Sequence, residues 1–137
     1  MRQNLKSTLA IFAIFALIVC FAACNKIDAE GLWESATYLK DTKVGEGSKE
    51  ISVSVEIEEQ AVLLTVKTDA QTLGEALYDE GIINDAVFFD TANGIKADWN
   101  ADQAYWAIWQ GDEYMMVGAS EINISGGESY RLVYTKG

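Results

Sequence analysis

The chain has no histidine. That removes the commonest general base, the commonest zinc ligand and the middle member of a Ser-His-Asp triad, so any enzymology would have to run on carboxylates. Cysteine is almost as scarce. The two present, Cys20 and Cys24, both sit at the N-terminal end, and nothing after residue 24 supplies a thiol. If Cys24 carries a lipid, no disulfide, thiol nucleophile or thiolate metal site is left for the rest of the chain. Basic residues are few, with 10 Lys and Arg against 21 Asp and Glu and a formal charge of −11. A polyanionic partner needs a basic footprint, so nucleic acid is excluded. A chain of 137 residues has room for one core and little for a deep catalytic cleft, and the expectation is a non-enzymatic domain.

What the sequence does contain begins at its N-terminus. Arg2 and Lys6 precede a stretch from Ser7 to Cys24 without a charged side chain, and Leu9 to Ala23 is almost wholly apolar. These are the n-region and h-region of a secretory signal. The competing reading is a membrane-spanning helix, but crossing ~30 Å of hydrocarbon takes about 20 apolar residues, and this core is shorter. The run Phe21-Ala22-Ala23-Cys24 resembles a bacterial lipobox, small residues before a cysteine that receives diacylglycerol and becomes the new N-terminus. Phe21 stands where Leu is usual, and Cys20, which follows bulky Ile18 and Val19, is the weaker candidate. The expectation is a signal peptide over residues 1–23, lipidation at Cys24, and an extracytoplasmic chain anchored to the cell membrane. Losing Arg2 and Lys6 takes the formal charge from −11 to −13. That charge keeps the domain soluble and repels it from anionic headgroups, so the lipid does the anchoring.

Residues 24–48 read as a tether followed by a loosely specified lead-in, with a sparse apolar set at Leu32, Trp33, Tyr38 and Leu39. Ile51, Val53, Val55 and Ile57 then alternate with Ser52, Ser54, Glu56 and Glu58, the period of a strand with one wet face. Val62, Leu64 and Val66 resume the alternation after a turn near Glu59-Gln60, which makes a hairpin. Thr72-Leu73-Gly74-Glu75 has the spacing of a capping box and opens a short helix to about Glu80, with Gly81 placed to end it. Strands are expected at Ala86 to Phe89 with an extension towards Lys96, at Ala104 to Gln110, at Tyr114 to Val117 and at Tyr130 to Thr135. Gly111-Asp112 suits a two-residue hairpin turn and Gly126-Gly127 a second reversal. The fold class that follows is α+β, a curved, mostly antiparallel sheet packed on one short helix.

Several segments, taken in order, carry a family resemblance. They are Ile51 to Ile57, Lys67 to Leu77, Asn93-Gly94-Ile95-Lys96-Ala97-Asp98, Ala104-Tyr105-Trp106-Ala107-Ile108 and Gly118 to Tyr134. Together, behind the lipobox, they resemble the transcobalamin-like C-terminal domain family (domain of unknown function 4430), which is frequent in lipoproteins of Gram-positive gut bacteria. The resemblance covers residues 49–137 and implies a β-grasp-like fold. In the animal cobalamin carriers the similar domain closes over a corrinoid held against a larger helical domain, which has no counterpart in this sequence. The resemblance therefore implies a small-ligand or accessory module, with a corrinoid as first candidate ligand, or else a surface protein-interaction or adhesion module.

Two groups of residues are candidate sites. Trp99, Tyr105, Trp106 and Trp109, with Tyr114 across the hairpin turn, could form a stacking platform, because an exposed aromatic surface usually marks a ligand or partner. Side chains alternate along a strand, so Tyr105 and Trp109 share one face and Trp106 and Ile108 the other. One face must fill the core, and the other could be covered by the Leu32-to-Leu39 segment or the helix. Asp98, Asn100 and Asp102 place oxygen side chains at positions 1, 3 and 5 of a calcium loop. The pattern then fails at Gln103 and Trp109, and a solvated turn competes with it. Glu56, Glu58, Glu59, Asp79 and Glu80 are read as solvated charges and not as a catalytic pair.

Overall fold

Residues 27–137 are described by a computed structural model; the expected signal, the lipobox and Cys24 lie outside the described residues. In chain order the elements are α1 (Ala29–Trp33), β1 (Thr42–Val44), β2 (Lys49–Ile57), β3 (Gln60–Thr68), α2 (Leu73–Asp79), β4 (Thr91–Ala92), β5 (Ile95–Lys96), α3 (Trp99–Asp102), β6 (Ala104–Gln110), β7 (Glu113–Tyr114), a 3-10 turn (Ala119–Glu121) and β8 (Ser129–Lys136). One six-stranded sheet has the order β1-β3-β2-β8-β6-β7, and β4 and β5 form a separate hairpin. The β2–β3, β6–β8 and β6–β7 pairings are antiparallel, while β1–β3 and β2–β8 are parallel. The class is α+β. Among the described residues no helix is long and apolar enough to cross a membrane.

The alternation seen in the sequence fixes the inner face of the sheet. Ile51, Val53, Val55 and Ile57 from β2, Val62, Leu64 and Val66 from β3, and Tyr130, Leu132 and Tyr134 from β8 all point into one core. Leu73, Ala76 and Leu77 of α2 close over it. A helix of seven residues has little stability alone, so this buried face and its cap must hold it. The cap is Thr72, whose hydroxyl accepts from the Glu75 amide at 3.2 Å.

Ile57 faces Gln60, so the hairpin turn is Glu58-Glu59, one residue earlier than the sequence suggests. Glu58 sits there at φ 55°. A left-handed conformation costs a residue with a Cβ about 1–2 kcal/mol. Glu58→Gly is therefore expected to stabilise the protein by about 0.5 kcal/mol after the extra entropy of glycine in the unfolded chain is subtracted. A thermal melt checks this, and an unchanged or lower midpoint would count against strain at Glu58.

Three other expectations are corrected. Ala86 to Phe89 is not a strand. The Asp85 carboxylate accepts from the amides of Val87 at 2.7 Å and Phe88 at 3.0 Å, bending the backbone into an Asx turn. Its supposed extension is the β4–β5 hairpin, turned by Asn93-Gly94 with φ of 51° and 77°. The strand expected at Tyr114 to Val117 ends at Tyr114. The lead-in is also better specified than its composition suggests: α1 buries Trp33, and Thr42–Val44 pairs with Leu64–Val66 as an edge strand.

Candidate functional site

The register of β6 against β8 decides which aromatic residues are available. Trp106 lies opposite Tyr134 and Ile108 opposite Leu132, so both turn inward. Trp106 is only 7% exposed, its ring meets Tyr134 edge-on at 5.5 Å, and its indole N–H donates to the Ile95 carbonyl at 3.1 Å. It belongs to the core and cannot stack on a ligand. Tyr105 and Trp109 face outward. Trp99, 57% exposed, meets Tyr105 edge-on at 6.2 Å, and Trp109 meets Tyr114 at 5.3 Å. The five residues thus resolve into two outward aromatic pairs and one buried ring.

Trp109 is further engaged from its other side. Arg131, opposite it on β8, places its guanidinium 5.6 Å from the Trp109 ring centre. The same guanidinium donates from Nε to Glu56 Oε2 at 2.8 Å and from Nη2 to Oε1 at 3.0 Å. Hydrogen bonding from Arg131 holds the Glu56 carboxyl below its ordinary 4.5, against the opposing effect of burial. A depressed carboxylate contributes stability that is complete above its unfolded pKa and is lost as pH falls through the folded value. Glu56→Gln is expected to cost about 0.5–1 kcal/mol at neutral pH, a modest figure because the pair is partly solvated, and to cost less below about pH 4. Denaturant titrations at both pH values measure this, and an equal loss at both would remove the ion pair from the explanation. Glu56 is therefore not a free solvated charge but is held in a two-bond pair with Arg131.

Beside the outward aromatics lies a groove of about 460 Å³ that the sequence reading missed. Its floor is the β6 segment Tyr105 to Ile108, and its walls are the loops carrying Val87, Phe88 and Phe89 on one side and Met115 to Gly118 on the other. Phe88 is 87% exposed and Met116 85%. Large apolar side chains this exposed, contiguous with Val87, Val117, Tyr105 and Tyr114, form a patch of the kind that marks a contact site. Phe88 is projected by the Asx turn. The amides of Val87 and then Phe88 hold the Asp85 carboxyl below its ordinary 3.8. A second hollow of about 370 Å³ adjoins the groove at Phe89 and Tyr105 and is walled by Lys96, Asp98 and Trp99. The signal for Phe88 was present in the sequence as four apolar residues, Ala86 to Phe89, bracketed by Asp85 and Asp90 and too short to span a sheet.

Asp98, Asn100 and Asp102 do not converge. Asp98 caps α3 by accepting from the Ala101 amide at 3.1 Å, with Lys96 Nζ at 3.9 Å from its other oxygen. Asn100 lies inside the helical turn, where residues two apart point to opposite sides. Among the described residues no group of three His, Cys, Asp or Glu side chains is placed to hold a metal ion.

The fold is transcobalamin-like, by its likeness to two solved structures. The chain is similar to a candidate metal-binding protein from Ruminococcus gnavus ATCC 29149, with 27% identity and a TM-score of 0.61 over 66% of this chain and 99% of that one. It is also similar to haptocorrin in complex with Cbi, with 18% identity and a TM-score of 0.51 over 68% of this chain. The chain spans about a quarter of haptocorrin, 26% of its length, and that likeness is one of fold. No protein-family model matches the chain, and none of the curated proteins does.

Proposed function

We propose that the protein is a lipid-anchored extracytoplasmic module that binds a small ligand, or presents it to an uptake system, through the groove beside β6. The observation that carries this reading is the pair of exposed apolar walls, Phe88 and Met116, set on either side of a strand floor with Tyr105 and Tyr114 at its ends. A volume of about 460 Å³ falls within the ~300–1,000 Å³ usual for ligand sites, but the groove lies open, so it would cover one side of a ligand and not enclose it. A planar ligand with an apolar edge fits that shape. A corrinoid is the first candidate, supported by the resemblance to the transcobalamin-like C-terminal domain family and by the fold shared with haptocorrin. The reading is non-catalytic. Histidine is absent from the chain, and Glu56 is committed to Arg131.

The test is tryptophan fluorescence and thermal melting of the full chain in detergent micelles, titrated with cobinamide, cobalamin and a panel of sugars. A corrinoid that binds should give a saturable change and raise the melting midpoint, by about 2.7 kcal/mol of stabilisation at a hundredfold excess over Kd. Phe88→Ser should weaken it without moving the midpoint of the free protein. No response to either corrinoid would discard that ligand.

A metal ion is the weaker candidate, supported by the likeness to the candidate metal-binding protein from Ruminococcus gnavus, with calcium suggested only by the oxygen side chains of Asp98, Asn100 and Asp102. With Asp98 acting as a helix cap, Asp98→Ala is expected to cost about 1 kcal/mol. The cost should be the same with and without calcium. A loss that appears only when calcium is present would restore the metal reading.

A further inference from the structure

The floor of the groove is an unpaired strand edge. The Gly111 amide donates to Ser129 on the β8 side, whereas the Ile108 carbonyl accepts from Met115 and the Ala104 amide donates to Asp98 on the far side. Backbone groups reverse direction at each residue of a strand, so Ala104, Trp106 and Ile108 all present theirs away from β8. The short β7 pairs only with Trp109 and Gln110. That leaves the Ala104 carbonyl, both backbone groups of Trp106 and the Ile108 amide without a backbone partner among the described residues. Four such groups in a row, between apolar walls, are the complement of one extended strand.

The charge around the groove narrows the occupant. The wall segments, residues 85–92 and 111–125, contain Asp85, Asp90, Asp112, Glu113 and Glu121 and no lysine or arginine. We propose that β6 is completed by an extended peptide segment of another protein, apolar at alternate positions and basic at its ends, with its backbone bonded to Trp106 and Ile108 and its side chains between Phe88 and Met116. A second copy of this chain would bring the same acidic rim against itself, at a formal charge of −11 each. The proposal goes beyond the proposed function and shares with it only the premise that this face binds.

The probe is the peptide Lys-Val-Thr-Val-Thr-Val-Lys, added to the full chain in detergent micelles, with amide hydrogen exchange read residue by residue. The Trp106 and Ile108 amides should slow about tenfold or more, while Tyr105 and Ala107, already bonded to β8, should not change. The same peptide N-methylated at alternate residues should bind about tenfold more weakly, the loss expected for one or two hydrogen bonds. Replacing Phe88 and Met116 by serine should weaken the peptide similarly with the melting midpoint unchanged, because both side chains are exposed. Unchanged exchange at Trp106 and Ile108, or equal binding by the N-methylated peptide, would overturn the proposal. So would protection that grows with protein concentration in the absence of peptide, which would assign the edge to a second copy. A corrinoid that binds while the peptide leaves these two amides unprotected would leave the small-ligand reading standing and this one not.

Discussion

Trp106→Ala is expected to unfold the protein or lower its melting midpoint by tens of degrees, whereas Trp109→Ala leaves it folded. The two residues are three apart on one strand and so lie on opposite faces, but the sequence of the strand alone does not say which face is buried. Trp106 is 7% exposed, packs edge-on against Tyr134 and satisfies the Ile95 carbonyl. Truncating a buried tryptophan to alanine costs about 3–5 kcal/mol through lost transfer energy and the cavity left behind. The Ile95 carbonyl would also lose its donor in a buried position, adding about 1 kcal/mol or more. Against a total stability of about 5–15 kcal/mol for a domain, this is most of the margin. Trp109 loses only its outward contacts with Tyr114 and Arg131, worth about 1 kcal/mol together. Circular dichroism melts of both variants decide the matter. A Trp106→Ala protein melting within a few degrees of the parent would mean that this ring is not part of the core.

The contrast between those two tryptophans shows what a sequence can and cannot carry. Alternation places Trp106 and Trp109 on opposite faces of β6 without further information. Which face turns inward is set by Tyr134 and Leu132, nearly thirty residues later in the chain, through the β6–β8 register. The β2–β3 hairpin was legible because nine-residue strands give the period-2 pattern enough length to identify one buried face. The β4–β5 hairpin was not, because its arms are two residues each and show no period; only Asn93-Gly94, a strong turn signal, could have disclosed it. Val87-Phe88-Phe89 has the composition of a buried strand. What overrides that composition is one side chain, the Asp85 carboxylate, whose bonds to two amides make a turn and leave Phe88 in the open. The groove was therefore invisible from periodicity, since its walls are loops and its floor is defined by the absence of a neighbouring strand.

Asn93→Ala is the second substitution expected to have a large effect, and it tests how the lead-in segment is held. Asn93 is fully buried in the β4–β5 turn. Its Oδ1 accepts from the Tyr38 amide at 2.8 Å and its Nδ2 donates to the Tyr38 carbonyl at 2.9 Å, so the side chain imitates a strand partner. Its backbone carbonyl accepts from Thr37 at 2.9 Å, and its own amide donates to Ile82 at 2.7 Å. Alanine would remove both side-chain bonds and strand the two Tyr38 backbone groups, at about 1–2 kcal/mol each. It would also have to hold a φ of 51°, which asparagine tolerates and alanine accepts at a cost of about 1 kcal/mol. The expected loss is about 3–4 kcal/mol in a denaturant titration. Asn93→Gly separates the two effects, because it keeps the backbone conformation and loses only the clamp, so it should recover about 1 kcal/mol relative to alanine. Hydrogen exchange at Tyr38 should accelerate in both variants. If Asn93→Ala costs less than about 1 kcal/mol, or the Tyr38 amide stays protected, the segment that carries Trp33 into the core is anchored without help from the Asn93 side chain.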